Sequence, residues 1–152
     1  MPRSGTSLID PAQGLVVTFN YLWAADGAKG NMEARKPRPC IIAAVADAPN
    51  PRLGQIKIVG VLALTHTAPK AGVLALPVPD GDRRVMGLDA EPCWVICGEM
   101  NSSIWPGYDL LRTPAARDGW TRGKVPPAFL DQILSTIRNA VETMVFRNVP
   151  RS

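Results

Sequence analysis

Few residues in this chain are suited to chemistry, and Arg38 stands out among them. It lies in Lys36-Pro37-Arg38-Pro39-Cys40, at the mouth of an apolar run. Each proline fixes its own φ and pushes the residue before it toward extended geometry. A long cationic side chain is therefore held in a stiff segment beside a predicted core strand. Arginine stays charged, and its planar fork can grip two phosphate oxygens. His66 is the only histidine and could act as an acid or base near neutral pH; a structural or solvent-facing histidine is the plainer reading. Cys40, Cys93 and Cys97 form an odd, sparse set, which argues against a disulfide framework. They sit in apolar runs and lack the paired spacing of a zinc site, so buried thiols are expected. Neither a metal nor a cofactor is expected.

Positioning these groups falls to a chain of 152 residues, 46% apolar and 20% charged. That balance suits one globular domain with a real core and excludes a disordered chain. No apolar run is long enough for a membrane span, and Met1–Gln13 lacks the apolar stretch of a secretory signal. A cytoplasmic location without membrane contact is expected. The net charge is +4. It allows an anionic partner, such as RNA or an acidic protein segment, without requiring one. The basic residues are scattered, so the fold must assemble any basic patch.

Thirteen glycines and 15 prolines punctuate the chain, favouring short strands over long helices. Residues 1–12 are expected as a loose arm and 13–152 as one domain. Strands are predicted at 14–23, 39–46, 55–66, 73–78 and 93–99. Residues 47–54 would close a hairpin between the second and third strands. On the third, Ile56, Ile58, Leu62 and Leu64 share a face. A polar loop is expected at 24–38 and a polar connection at 79–92. One helix is predicted at 126–146, with a stripe of Leu130, Ile133, Leu134, Ile137, Val141, Met144 and Val145. Pro127 suits its first turn. The fold class is mainly β with a C-terminal helix, a small and strongly bent sheet.

The ordered set GLVVTFNYLW, KPRPCIIAAV, VGVLALTHT and CWVICGEMN resembles the PemK/MazF family of toxin endoribonucleases across roughly residues 13 to 105. The segment SSIWPGYDLLRT is similar to a longer branch of that family with a WPG signature. The resemblance implies an SH3-like barrel of the kind shared with the CcdB gyrase poisons. It implies a homodimer that cleaves single-stranded RNA without metal. It also implies neutralisation by an acidic antitoxin protein, with DNA met only indirectly through that partner. The alternative is a non-enzymatic binder on the same fold, gyrase-poison-like or degenerate.

Metal-free cleavage uses the RNA's own 2′-hydroxyl against the adjacent phosphate. The protein must move protons and stabilise charge on the phosphorane. By resemblance, Arg38 stabilises that charge, Thr65 orients the phosphate, and Glu99 carries a proton or orients the arginine. Lys36, His66, Asn101 and Trp105 are candidate substrate contacts, Trp105 by stacking on a base. In a regular strand, His66 would face away from Thr65, so only one of the two would line the site. The late strand departs from the family pattern. Met100 and Ser102 stand where many relatives continue with other residues, and Cys97 replaces an arginine of one subgroup.

Overall fold

The computed structural model describes residues 9–32 and 35–151. Residues 1–8 of the expected arm, and Glu33 of the expected loop, lie outside them. The elements run β1 (Leu15–Tyr21), α1 (Ala24–Ala28), β2 (Lys36–Asn50), β3 (Gly54–Thr65), β4 (Ala75–Pro77), β5 (Trp94–Ile96), β6 (Glu99–Trp105), β7 (Leu110–Leu111), β8 (Thr121–Lys124), α2 (Pro127–Glu142) and β9 (Arg147–Pro150). The protein is mainly β with one long helix toward its C-terminal end, as expected.

The nine described strands form one sheet, ordered β4-β5-β3-β2-β1-β7, with β6 and β9 branching from β3 and β8 from β1. The sheet is open, not closed on itself. All pairs are antiparallel except β6 with β9. The predicted β2–β3 hairpin is present and turns at residues 51–53. There the Asn50 side chain accepts hydrogen bonds from the amides of Arg52 and Leu53, both at 2.9 Å. A short polar side chain that satisfies the turn's own backbone favours this local bend.

Both faces of the central strands are buried. Val16 and Val17 are each fully inaccessible, although adjacent strand residues point to opposite sides. On one side, Val16, Ile41, Leu62, Leu64 and Val95 pack with Phe129 and Ile133 of α2. On the other, Val17, Phe19, Tyr21, Cys40, Val59 and Val61 pack with Trp105 and Leu110. A register shift between Ile42 and Ala44 inserts one residue and exchanges the faces. Ile41 and Ala43 belong to the first core, whereas Val45 packs against the second.

The helix is shorter than the predicted 126–146. It starts with Pro127 in its first turn and ends at Glu142. Phe129, Ile133 and Ala140 are buried, and Leu130, Leu134 and Ile137 pack partly against the core. Full burial of Phe129 or Ile133 is worth about 1.5–3 kcal/mol each. Val141, Met144 and Val145 continue the apolar stripe in sequence but are exposed. Beyond the helix, β9 turns back to run beside β6. The predicted 24–38 loop contains the short helix α1, and the 79–92 connection contains one 3-10 turn at Asp80–Asp82.

Candidate functional site

Arg38 and Thr65 come together through strand register. Phe19 pairs with Arg38 across β1 and β2. The β2–β3 ladder ends with Cys40 against Ala63, two residues from Arg38 on one strand and two from Thr65 on the other. Both line a cavity of about 230 Å³. Pro37 and Pro39 contribute to its wall, so the rigid Pro-Arg-Pro step forms part of the site itself.

β3 ends at Thr65, and alternation lapses at that point. His66, expected on the opposite face, lines the same cavity. The Thr65 hydroxyl accepts a hydrogen bond from the Thr67 amide at 3.1 Å, which leaves its own O–H free to donate. His66 Nδ1 lies 2.8 Å from the Pro92 carbonyl oxygen, and Nε2 lies 3.2 Å from Asp89 Oδ2. The Pro92 carbonyl holds the imidazolium above the ordinary histidine range, helped by the Asp89 and Glu91 carboxylates and opposed by partial desolvation.

Arg122, at 84 residues' remove from Arg38, is a site residue that sequence reasoning missed, as is Asp89. It lines the same cavity from β8. Its Nη1 donates to Thr18 Oγ1 at 3.2 Å and its Nη2 to the Gly87 carbonyl at 3.3 Å. Close backbone packing sets this position. A Cβ on Gly123 would overlap the Val85 carbonyl oxygen, and one on Gly87 the Arg122 carbonyl oxygen. Two glycines therefore let the 83–88 turn lie directly on β8. A four-residue strand containing a glycine carries no readable period, so nothing local marked Arg122.

The cavity is thus lined by two guanidinium groups. Arg38 lies over the Trp23 ring, 5.0 Å from its centroid, a cation–π contact that holds the side chain without neutralising it. The Nε atoms of Arg38 and Arg122 are buried and have no hydrogen-bond partner among the described residues. Burial pushes the Cys40 thiol upward in pKa, while Arg38 and Arg122 both pull it down, so the two cations act on one small region. Such an arrangement suits a phosphate group.

The remaining predicted residues lie elsewhere. Glu99 is half-buried and accepts from the Tyr21 hydroxyl at 3.1 Å and the Ala24 amide at 2.8 Å. Burial raises its pKa, against the lowering effects of those hydrogen bonds and of Arg147. It does not line the cavity. Its route to Arg38 passes through Tyr21, whose ring meets Trp23 edge-on at 5.1 Å. Lys36 is exposed and pairs with Tyr21 across the strands, outside the cavity. Asn101 and Trp105, expected at substrate, do not line this cavity. Asn101 is fully buried; its amide bonds both the Leu22 N–H at 2.9 Å and the Leu22 carbonyl at 2.8 Å. Trp105 is buried in the second core, and its Nε1 donates to the Ile9 carbonyl at 3.1 Å. That bond also ties residue 9, expected in the loose arm, to the sheet. Cys97 lies in the first core, where an arginine would be buried.

Cys40, Cys93 and Cys97 are free and buried. Among the described residues, no group of three or more His, Cys, Asp or Glu side chains is placed to hold a metal ion. No described helix is long and apolar enough to cross a membrane. Compared with protein-family models, curated proteins and solved structures, the chain matches none of them.

Proposed function

We propose that this protein is a metal-independent endoribonuclease of the PemK/MazF toxin kind, acting on single-stranded RNA. The observation that carries the reading is the shared cavity of Arg38 and Thr65. Two of the three residues singled out by resemblance come there from different strands, and a second arginine, which forms no salt bridge among the described residues, joins them. In this reading the RNA 2′-hydroxyl attacks the adjacent phosphorus. Arg38 and Arg122 stabilise the charge that grows on the phosphorane oxygens, and the Thr65 hydroxyl donates to one of them. Glu99 positions Arg38 through Tyr21 and Trp23, without touching RNA.

The rest of the reading follows the resemblance: a cytoplasmic homodimer on an SH3-like, CcdB-type fold, neutralised by an acidic antitoxin. The switch of β3 from pairing with β6 to pairing with β5 along its length supports a strongly bent sheet of that type. A non-enzymatic binder is the competing reading. It is favoured by the exposed apolar residues Val141, Met144 and Val145 beyond the core-packed part of α2.

Induction of wild type and Arg38→Ala in a bacterial host, with mapping of new RNA 5′ ends, separates the two. Wild type should produce new ends. Arg38→Ala should lose cleavage on the order of 10²–10³-fold, the usual effect of removing one preorganised charge-stabilising donor. Growth arrest without new ends would favour the binder.

A further inference from the structure

We infer that His66 is the general acid of this site, its Nε2 proton passing to the departing 5′-oxygen of the RNA; this inference rests on the endoribonuclease reading. The geometry fixes both ring protons. Nδ1 faces the Pro92 carbonyl at 2.8 Å, which can only accept, so Nδ1 carries a hydrogen. Nε2 faces the Asp89 carboxylate at 3.2 Å, which as an anion also only accepts. Two acceptors, one at each ring nitrogen, favour the imidazolium over either neutral tautomer.

The two protons differ in how readily they leave. Loss from Nδ1 would set a lone pair against the Pro92 carbonyl. Loss from Nε2 yields the neutral tautomer that Pro92 already favours. The Nε2 contact is also at the long end of the hydrogen-bond range. Both side chains there are more than half exposed, at 55% and 61%, so a substrate oxygen can take the place of Asp89. Thr65 and Arg38 line the same cavity, which places the acid beside the groups that would hold the phosphate.

The step balances without any further reactant than water. The bond from the 2′-oxygen to phosphorus forms as the bond from phosphorus to the 5′-oxygen breaks. Solvent water takes the 2′-hydroxyl proton, and Nε2 gives its proton to the 5′-oxygen. The products are a 2′,3′-cyclic phosphate, a 5′-hydroxyl and a neutral imidazole protonated on Nδ1. Solvent then restores the Nε2 proton. Asp89 and Glu91 from the 89–92 turn favour the charged ring. Arg38 and Arg122 line the cavity with it, as does the neutral Cys93 thiol. The Pro92 carbonyl and the two carboxylates keep the ring charged above its ordinary range. The rate should therefore fall on the alkaline side of that range, as the acid is lost. Asp89→Asn should move that fall to lower pH.

The test uses an oligoribonucleotide spanning a cut site mapped with wild type, made with either an ordinary or a 5′-thio leaving group at the cut. A thiolate departs without protonation, so a general acid is needed only for oxygen. His66→Gln should be slower than wild type on the order of 10²-fold on the oxygen substrate and nearly equal to it on the sulfur substrate. An equal deficit on both substrates, or none on either, would overturn the role of His66. Cleavage of neither substrate by wild type would instead overturn the endoribonuclease reading itself.

Discussion

Among the described residues, four arginines carry a buried Nε without a partner: Arg38, Arg83, Arg122 and Arg151. Buried polar groups are nearly always satisfied, so each exception calls for a reason. Arg83 bonds Asp80 at 2.8 Å and Arg151 bonds Asp109 at 3.0 Å, which leaves each charge compensated. Arg38 and Arg122 form no salt bridge among the described residues and share one cavity, whose one carboxylate, Asp89, is engaged with His66. The uncompensated pair is the one placed to meet an anion. Arg38 was legible in the sequence because two prolines frame it, and Thr65 because it closes an apolar strand. Arg122 was not, since its place depends on close packing between Gly123 and the 83–88 turn. Asn101 shows the opposite limit: the type of an amide that could read a base edge does not reveal that both backbone groups of Leu22 occupy it. Counterion release separates the two kinds of arginine. Each phosphate contact to a single strand contributes about −0.7 to the slope of log affinity against log salt. Arg122→Gln should weaken binding of single-stranded RNA and flatten that slope by about 0.7. Arg83→Gln should leave the slope unchanged. Fluorescence anisotropy across a salt series reads both.

At the scale of elements, long apolar runs were legible and short polar strands were not. β1, β2 and β3 carry β-branched and apolar residues that announce strands. β6 hides its alternation because its inward positions are Asn101, Ser103 and Trp105. Two of the three are polar, so a pattern that counts apolar side chains misses them. β7, β8 and β9 are two to four residues long, too short for any period. The end of α2 was misplaced because the apolar stripe outlasts the helix. Its real stop is a backbone motif. The Val145 amide bonds the Ala140 carbonyl and the Met144 amide bonds the Val141 carbonyl, each at 3.0 Å. This is the paired hydrogen bonding that closes a helix through a left-handed residue. Here that residue is Met144, with φ 60°, where glycine is usual. A side chain in that conformation costs about 1–2 kcal/mol, and Met144 is 89% exposed, so its side chain contributes little packing. Glycine gives back part of the gain through its freer unfolded chain. Met144→Gly should therefore stabilise the protein by about 0.5–1 kcal/mol, seen as a raised thermal midpoint.

Across the whole molecule, the segment from Trp105 to Asp109 fastens distant parts of the chain together. Trp105 holds the Ile9 carbonyl, and Asp109 holds Arg151 across 42 positions. The Arg151 amide also bonds the Ser102 carbonyl at 2.6 Å, continuing the parallel run of β9 along β6. Arg151 and Asp109 are nearly inaccessible, at 4% and 8% exposure of their side chains. An ion pair so deeply buried must offset the desolvation of both charges, so its net worth is small although each half depends on the other. Removing only the cation leaves the carboxylate buried and uncompensated. Arg151→Met should thus cost about 3–5 kcal/mol, a large share of the roughly 5–15 kcal/mol that stabilises a typical domain. The double substitution Arg151→Met with Asp109→Leu removes both charges and fills the space with apolar atoms, and it should return stability to within about 1 kcal/mol of wild type or above it. Urea unfolding with an unchanged slope would read both variants. A double variant as unstable as the single one would mean that the pair fixes β9 through geometry that apolar packing cannot replace.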